Sequence, residues 1–313
     1  MPVSGFLHWL KTCYNSLVHC FITIACLVVR GKFIAEVWMA IMIALSQLAA
    51  PVAQGRTAEV YAWDATHILK LYRDWCPRHW VEHESQVAHA IVAAGIPTPT
   101  AGEIVEIEGR RGIIYERVRA FSMLQDIRAR PWRLWLHAHA LAELQAQVHR
   151  LVVPGLPRYR DGLAHDISHA SALPKPLREL ALERLATLPD GETLCHGDLH
   201  PDNVLITERG PLIIDWMTAV SGSPWADVAR TSMILSIGVR AADRQQVPFY
   251  LRWFASFFYR AYLRHYHALN PDLQEELPRW APVIAAARLA EEIKPEREAL
   301  IAMVQAGVRR QGS

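Results

Sequence analysis

Two stretches indicate the fold of this chain most clearly: His-Gly-Asp-Leu-His-Pro-Asp-Asn at residues 196–203 and Ile-Ile-Asp-Trp at residues 213–216. The first has the spacing H-x-D-L-x-x-x-N, which places a carboxylate and a side-chain amide on a single loop. The second ends a short apolar run on another carboxylate. Hard oxygen ligands of this kind suit Mg²⁺, so the two stretches together predict a magnesium-dependent site.

The chemistry that these residue types fit is phosphoryl transfer. That reaction needs a carboxylate to orient and deprotonate the attacking hydroxyl, and oxygen ligands to hold Mg²⁺ against the phosphates. The spacing assigns the first role to Asp198 and the second to Asn203 and Asp215. Apolar runs at 204–206 and 212–214 flank a turn at 208–210, so a hairpin is expected to bring the two metal ligands side by side.

Beyond these two stretches, the front third of the chain is rich in predicted strands and the remainder is rich in predicted helices. Residues 52–72 predict a hairpin around 64–66, and residues 103–118 predict a second one around Gly109-Arg110-Arg111. A helix over 80–94, closed by Gly95, is predicted between them. Helices are predicted at 132–151, at 177–188 and beyond Trp225. This order predicts an α+β fold.

The catalytic loop resembles that of the aminoglycoside phosphotransferase family, which belongs to the protein-kinase-like superfold and has the loop H-G-D-x-H-x-x-N. The resemblance covers about residues 51–235 well and the rest loosely. It implies a two-lobed fold with a small β-rich N-lobe and a larger helical C-lobe. The expected domains are an N-terminal extension at 1–45, a nucleotide-binding N-lobe at 46–117 and a C-lobe at 118–313.

The resemblance also implies which residues bind ATP. The nucleotide-binding positions are expected to be Gly55, Lys70, Glu84, Glu116 and Val118. Gly55 lies in the segment 54–61, where kinases have a glycine-rich lid over the phosphates, and it is the only one of the usual three glycines. Residues 115–118 correspond to the hinge, whose backbone binds the adenine ring in the family.

Lys70 is supported by its surroundings as well as by the resemblance. It is the only lysine between Lys32 and Lys175, and it lies in the apolar stretch Ile-Leu-Lys-Leu-Tyr. A lone lysine in such a strand usually has a function or an ion-pair partner. The resemblance implies that Lys70 binds the α- and β-phosphates of ATP and that Glu84 is its partner.

Two further residues are expected to support the catalytic loop structurally, namely His196 and Asp227. Gly197 stands where eukaryotic protein kinases usually have an arginine that receives an activation-loop phosphate. Only 11 residues separate Asp215 from Asp227, which is too few for a long regulated segment. The enzyme is therefore expected to be active without being phosphorylated itself.

Two other classes of function stay open. The chain could be a catalytically inactive nucleotide-binding scaffold, although all the residues expected for catalysis are present. It could also be a metallohydrolase that uses His196, Asp198 and His200, but a zinc site would need at least one more clustered ligand. Metal analysis of the purified protein separates the second alternative from a kinase.

Composition limits the partners and the compartment. The net charge of +2 is too small, and no Lys/Arg run is dense enough, to predict nucleic-acid binding. The five cysteines form no C-x-x-C pair, which favours buried thiols in a reducing compartment. A cytoplasmic location, where ATP is available, is expected.

The apolar segment 16–50 is the exception to this picture. Each of its two apolar runs is at or below the length that spans a bilayer, about 18–20 residues. Three interpretations stay open: a weak membrane anchor or hairpin, a helical pair packed on the main domain, and an extension upstream of the true start. A cleaved secretory signal is disfavoured, because export would separate the enzyme from ATP.

The acceptor is a small hydroxylated molecule that the sequence does not identify. A pocket for polycationic aminoglycosides would need clustered carboxylates, whereas residues 232–313 contain 11 Lys/Arg and 8 Asp/Glu. This balance leans against an aminoglycoside. The family also includes kinases for choline, homoserine, fructosamines and macrolides, and the sequence does not choose among them.

Overall fold

A computed structural model describes residues 48–241, 249–273 and 276–309 of the chain. The described residues form two compact units. The first contains residues 48–77 together with Glu103–Ile114, and the second contains Arg78–Gly102 and the described residues from Tyr115 onward. The predicted extension at 1–45 lies outside the described residues, and the predicted domain boundaries stay predictions.

The strands of the front third form a single five-stranded sheet in the order β1-β2-β3-β5-β4. Their bounds are β1 (Ala53–Gln54), β2 (Ala58–Ala62), β3 (His67–Tyr72), β4 (Ala101–Ile107) and β5 (Arg110–Glu116). One face of the sheet covers a small apolar core, which contains Tyr61, Leu69, Leu71 and Ile107. The two hairpins predicted from the sequence are therefore present.

The two hairpin turns are built differently. In the first, Oδ1 of Asp64 accepts hydrogen bonds from the backbone N–H groups of Thr66 and His67, an Asx turn. In the second, Glu108 and Gly109 both have positive φ, as a two-residue type I′ turn requires. The predicted turn was placed too late, because two left-handed residues are enough to reverse the chain and β5 already begins at Arg110.

The second unit is mostly helical. Its helices are α1 (Arg78–Ala93), α2 (Met123–Ala129), α3 (Leu134–Val148), α4 (Tyr159–His169), α5 (Lys175–Thr187), α6 (Pro224–Ala241), α7 (Phe249–Leu269), α8 (Leu277–Arg288) and α9 (Arg297–Arg309). They enclose one large apolar core. Helix α3 is shorter than the predicted 132–151, because a 3-10 turn at Pro131–Arg133 precedes it and Val148 ends it. Helix α4 was not predicted.

Short strands in the second unit support the polar loop. They are β6 (Phe121–Ser122), β7 (Thr193–Cys195), β8 (Val204–Thr207), β9 (Gly210–Ile213) and β10 (Val220–Gly222). Strands β8 and β9 form the predicted hairpin, with Val204 paired to Ile213. Strand β10 pairs antiparallel with β7. Strands β7 and β8 lie before and after the loop at 196–203, so both of its ends are fixed.

Helix α1 belongs to the second unit through specific contacts. The Nε2 atom of His83 lies 3.2 Å from the carbonyl oxygen of Ala219. In the segment after the helix, the backbone N–H of Ile213 donates to the carbonyl of Pro97, at 2.8 Å. Among the described residues, no helix is long and apolar enough to cross a membrane. The apolar runs of residues 16–47 lie outside that search.

Candidate active site

The backbone of the catalytic loop, residues 196–203, turns sharply at Gly197. This glycine has a φ of +78°, which side chains other than glycine rarely adopt. A Cβ atom there would also lie 2.5 Å from the carbonyl oxygen of Thr218. The loop therefore requires glycine for two reasons, which accounts structurally for the residue that replaces the arginine of protein kinases.

Asp227 lies beneath this turn and is completely buried. Its Oδ1 accepts a hydrogen bond from the N–H of Gly197 at 2.7 Å, and its Oδ2 accepts one from the N–H of His196 at 3.3 Å. A carboxylate that accepts two backbone N–H groups fixes the path of the chain between them. These contacts are of the kind that the family resemblance implies for this position.

Side chains of α3 complete the environment of Asp227. The side-chain amide of Gln145 donates from Nε2 to Oδ2 of Asp227 at 3.0 Å, and Nε2 of His149 lies 3.0 Å from the same oxygen. Tyr262 donates to the amide oxygen of Gln145, and the hydroxyl of Tyr266 lies 2.6 Å from Nδ1 of His149. Burial alone would raise the pKa of Asp227, but the hydrogen bonds from His149 and Gln145 hold that pKa below its usual value.

His196 is also buried, and both of its ring nitrogens contact the backbone. Its Nδ1 accepts from the N–H of Asp198 at 3.2 Å, so Nε2 carries the proton and donates to the carbonyl of Ile214 at 3.1 Å. The ring packs against Trp216, with the ring centroids 4.6 Å apart. Burial lowers the pKa of His196, which favours the neutral ring.

These contacts weaken the metallohydrolase alternative. A ligating histidine needs one ring nitrogen for the metal, and neither nitrogen of His196 is available in this arrangement. The Nδ1 atom of His200 accepts from the N–H of Asp202 at 3.2 Å. Within the part of the chain that the structure describes, no group of three or more His, Cys, Asp or Glu side chains is arranged to hold a metal ion.

The carboxylate of Asp198 lies between two basic side chains and is partly exposed. Its Oδ1 is 3.4 Å from Nη2 of Arg230, and its Oδ2 is 3.6 Å from Nε2 of His200. Burial on its own would raise the pKa of Asp198, but the nearby ring of His200 and the charge of Arg230 hold it well below the usual range of an aspartate. Asp198 is therefore an ionised acceptor at neutral pH.

Asn203 and Asp215 lie at the same end of the β8–β9 hairpin. The side-chain amide of Asn203 donates to the carbonyl of Asp198 at 2.9 Å, and its own carbonyl accepts from the N–H of Ile214 at 3.0 Å. Because the first bond uses the amide nitrogen, the amide oxygen is the atom suited to a metal. Asp215 has left-handed backbone dihedrals, φ 66° and ψ 64°, which are uncommon outside glycine and cluster at functional sites.

The donor set at this end of the hairpin fits Mg²⁺. An amide oxygen and a carboxylate are hard ligands, and Mg²⁺ is usually held by one or two carboxylates plus water and substrate phosphates rather than by a full protein cage. The residues that would hold the ion are Asn203 and Asp215.

The loop is also tied to the segment that follows the predicted hinge. Ser122 donates from its hydroxyl to Oδ1 of Asp202 at 2.7 Å, and it forms a capping box with Gln125 at the start of α2. In the hinge, the carboxylate of Glu116 is 2.6 Å from Nη2 of Arg209. The N–H of Glu116 donates to the carbonyl of Thr100 at 2.9 Å. Val118 follows β5 in a stretch without regular structure.

The predicted partner of the lysine, Glu84, lies on α1 and is 1% exposed. Its Oε1 accepts from the hydroxyl of Tyr115 at 3.0 Å, within the second unit. Lys70 belongs to the first unit, where it lies in β3 opposite Val60, and its Nζ is 5.3 Å from the centroid of the Tyr72 ring.

The lid segment, residues 54–61, is held by an arginine that the sequence analysis did not identify. The guanidinium of Arg73 donates from Nε to the carbonyl of Arg56 at 3.1 Å and from Nη2 to the carbonyl of Gly55 at 3.2 Å. The backbone N–H of Arg73 donates to the carbonyl of Thr57 at 2.9 Å. Three successive carbonyls of the lid are thus bonded to one residue.

Several supporting residues were missed, although the spacing of some was informative. Gln145 and His149 are four apart and Asp227 and Arg230 are three apart, so each pair lies on one face of its helix. His149 is buried, as is Gln145. Arg73 had no such signal, since its contacts are with backbone carbonyls.

Comparison with known proteins places these features in one family. A family model described as a phosphotransferase enzyme family matches residues 49–269. No curated protein matches the sequence significantly.

Solved structures share the fold. A thermostable mutant of the aminoglycoside phosphotransferase APH(4)-Ia, in a ternary complex with AMP-PNP and hygromycin B, aligns with a TM-score of 0.59 at 16% identity, over 84% of this chain and 93% of that one. An aminoglycoside-3'-phosphotransferase of type VIII aligns at 0.54 and 22% identity, over 78% and 92%. A choline/ethanolamine kinase family protein from Mesorhizobium loti aligns at 0.54 and 15%, over 83% and 87%. The α+β, protein-kinase-like fold class predicted from the sequence is confirmed.

Proposed function

Since this chain belongs to the phosphotransferase enzyme family, we propose that it transfers the γ-phosphate of ATP to a hydroxyl group of a small molecule. Asp198 would accept the hydrogen bond of the attacking hydroxyl and take its proton. Asn203 and Asp215 would hold Mg²⁺, which would neutralise charge on the phosphates. Lys70 would bind the α- and β-phosphates of ATP.

The observation that carries this proposal is the arrangement of the catalytic loop. Asp198 presents an ionised carboxylate, and the side-chain amide of Asn203 is hydrogen-bonded to the carbonyl of that same residue. The proposed base and one proposed metal ligand are therefore held in a fixed relation. Phosphoryl transfer depends mainly on such positioning, because the protein contributes little covalent chemistry.

The use of ATP is supported from two directions. A neighbour of the same fold was crystallised with the ATP analogue AMP-PNP. In this chain, Lys70 lies next to the lid segment, since β2 and β3 are paired and Val60 faces Lys70. Adenine binding is assigned to the backbone of Glu116 and Val118, and the lid containing Gly55 is assigned to the phosphates.

The roles of His196 and Asp227 follow from their contacts. Both are buried: Asp227 accepts from the N–H groups of His196 and Gly197, and the ring of His196 accepts from the N–H of Asp198 and donates to the carbonyl of Ile214. We assign them the fixing of the loop. No regulatory phosphorylation is needed in this mechanism, because the position before Asp198 is Gly197 and offers no basic group to a phosphate.

The direct test is ADP release by the purified full chain with Mg²⁺ and ATP. The acceptors would be a panel of amino alcohols, sugars, aminoglycosides and macrolides, with Asp198→Ala as the inactive comparison. Loss of the base is expected to reduce the rate by about 10²–10⁴-fold. The matched control is Asp161→Ala, because Asp161 is an exposed aspartate at the start of α4.

The outcomes separate the proposal from its alternatives. Acceptor-dependent ADP release that disappears in Asp198→Ala supports transfer to a hydroxyl and identifies the substrate class. Tight binding of ATP with no transfer to any acceptor, and no difference between the wild type and Asp198→Ala, would favour an inactive nucleotide-binding scaffold. Stoichiometric zinc in the active protein would favour the metallohydrolase.

A further inference from the structure

Arg230 lies on α6, three residues after Asp227, and its side chain is 13% exposed. Its Nη2 atom is 2.5 Å from Oε1 of Glu291 and 3.4 Å from Oδ1 of Asp198. One guanidinium nitrogen therefore contacts both the proposed catalytic base and a carboxylate that lies far from the catalytic loop in sequence. No motif predicted either contact.

Glu291 is itself held by a second arginine. Its Oε2 is 3.4 Å from Nη1 of Arg288, and Arg288 forms a buried two-point pair with Glu296, at 2.5 Å from Nε and 2.9 Å from Nη2. Charges thus alternate from Asp198 through Arg230, Glu291 and Arg288 to Glu296. This charge chain links the catalytic loop to the residues that follow α8.

Other titratable groups face this charge chain. Tyr159 and Asp166, both on α4, interact electrostatically with Arg230, and Asp166 also interacts with Glu291. Burial raises the pKa of Asp166. His200 faces Asp198 from within the catalytic loop. The positive charge of Arg230 therefore lies among more carboxylates than it can pair with closely.

Nη2 of Arg230 lies closer to Glu291 than to Asp198, so the guanidinium interacts unequally with the two carboxylates. An arginine free to approach Asp198 would form a close bidentate pair and occupy both carboxylate oxygens. Here the shorter contact is with Glu291, and the contact with Asp198 uses only Oδ1. The Nε of Arg230 has no hydrogen-bond partner within the described residues, so the guanidinium is not used fully by either carboxylate.

We propose that Arg230 is a positioning residue for the transfer, and that Glu291 sets the distance from which it acts on Asp198. Arg230 orients the carboxylate through Oδ1. Glu291 withholds the guanidinium from a closer pair, so that Oδ2 stays available to the acceptor hydroxyl. This role rests on the proposed function, since it requires Asp198 to be the base.

The first experiment separates the effect of Arg230 on the transfer step from its effect on ATP binding. ADP release from Mg²⁺ and ATP, with water as the acceptor, would be measured over a range of ATP concentrations to give kcat and the KM for ATP. In Arg230→Gln the kcat is expected to fall up to about 100-fold, the scale of a misplaced reacting group, while the KM for ATP stays close to the wild-type value.

Arg230→Lys separates charge from geometry. The ammonium keeps the positive charge but lacks the fork that contacts two carboxylates. The kcat for ADP release is therefore expected to stay reduced in Arg230→Lys, at an unchanged KM for ATP, because charge alone does not orient the carboxylate of Asp198. The matched control is Arg160→Gln, because Arg160 is a partly buried arginine of the same unit that pairs with Asp190. It should change neither readout.

Glu291→Gln tests the same proposal independently, in case Arg230→Gln fails to fold. Releasing Arg230 towards Asp198 is expected to reduce kcat at an unchanged KM for ATP, since both carboxylate oxygens of Asp198 become occupied. A wild-type kcat in both Glu291→Gln and Arg230→Gln, or a fall in kcat accompanied by an equal change in the KM for ATP, would overturn the role of Arg230. No ADP release by the wild-type chain with any acceptor would instead overturn the proposed function, and the positioning role with it.

Discussion

The catalytic loop and the lid segment are held in place by different means. The loop at 196–203 bonds through backbone N–H groups to Asp227, which is completely buried and surrounded by side chains of α3. The lid at 54–61 bonds through backbone carbonyls to Arg73, whose side chain is 36% exposed. One support belongs to the core of its unit and the other lies at the surface of its unit.

The catalytic loop and the lid therefore depend to different degrees on a single side chain. Removing a buried carboxylate leaves several donors without a partner inside the protein, which is costly for folding as well as for the site. Removing a partly exposed arginine leaves carbonyls that water can reach. Loss of Asp227 should therefore affect the whole second unit, whereas loss of Arg73 should affect only nucleotide binding.

The largest effect is expected at Asp215, a proposed metal ligand at the end of the β8–β9 hairpin. Asp215→Asn keeps the size of the side chain, and asparagine tolerates the left-handed backbone at this position. Losing the charged ligand removes several kcal/mol of metal-based stabilisation, so transfer should fall by at least about 10³-fold. The measurement is ADP release at saturating Mg²⁺, and circular dichroism verifies the fold. Activity within tenfold of the wild type would exclude Asp215 as a ligand.

The next effect tests the buried support. Asp227→Ala leaves the N–H groups of His196 and Gly197 and the side chains of Gln145 and His149 without their acceptor. The free energy of unfolding should fall by about 3–5 kcal/mol, as for other broken buried charge networks.

Urea denaturation measures this change. Asp161→Ala serves as the control, and it should cost at most about 1 kcal/mol because it removes only an exposed carboxylate in the first turn of α4. If the two variants were equally stable, the comparison between a buried and a surface support would be wrong.

A smaller effect is expected at the lid. Arg73→Ala removes two hydrogen bonds to lid carbonyls, each worth about 0.5–1.5 kcal/mol, so the KM for ATP should rise by about tenfold or less. The free energy of unfolding should change by less than in Asp227→Ala. Arg111→Ala is the matched control, since Arg111 lies in the same sheet and pairs with Glu106. Equal KM values for ATP in the two variants would show that Arg73 does not support the lid segment.

The smallest effect is a dependence of stability on pH. The folded pKa of Asp227 is lower than its unfolded value of about 3.9, so the unfolded chain binds more protons. Its contribution is therefore complete above about pH 5 and is lost as the pH falls through the folded pKa, at up to about 1.4 kcal/mol per pH unit. Asp227→Asn should flatten this slope in denaturation curves between pH 5 and pH 2. If the slope of the free energy of unfolding against pH were unchanged, other carboxylates would be responsible for the loss of stability in acid.

The placement of the loop at 196–203 beside the β8–β9 hairpin could be predicted from the sequence, because its residues are local. Asp198 and Asn203 are five apart, and the hairpin that brings Asp215 to Asn203 follows from two apolar runs and a turn. Short-range spacing of this kind is visible without any knowledge of tertiary packing. The α+β fold class was predictable from the same periodicities.

The supports of the site could not be predicted, because they depend on contacts distant in sequence. Arg230 and Glu291 are 61 residues apart and meet only through the packing of the C-terminal helices. Gln145 and His149 reach Asp227 across 82 and 78 residues. Arginine and histidine are common on helix surfaces, so their presence alone does not indicate which of them turn inward.

The most direct test of the central claim is a calorimetric titration of ATP into the full chain, with and without Mg²⁺. Lys70→Ala and Asp215→Asn would be titrated in parallel. Saturable ATP binding that strengthens with Mg²⁺ in the wild type is expected, together with weaker binding in Lys70→Ala and loss of the Mg²⁺ effect in Asp215→Asn. Failure of the folded wild-type chain to bind ATP under either condition would contradict the assignment of this protein as an ATP-dependent phosphotransferase.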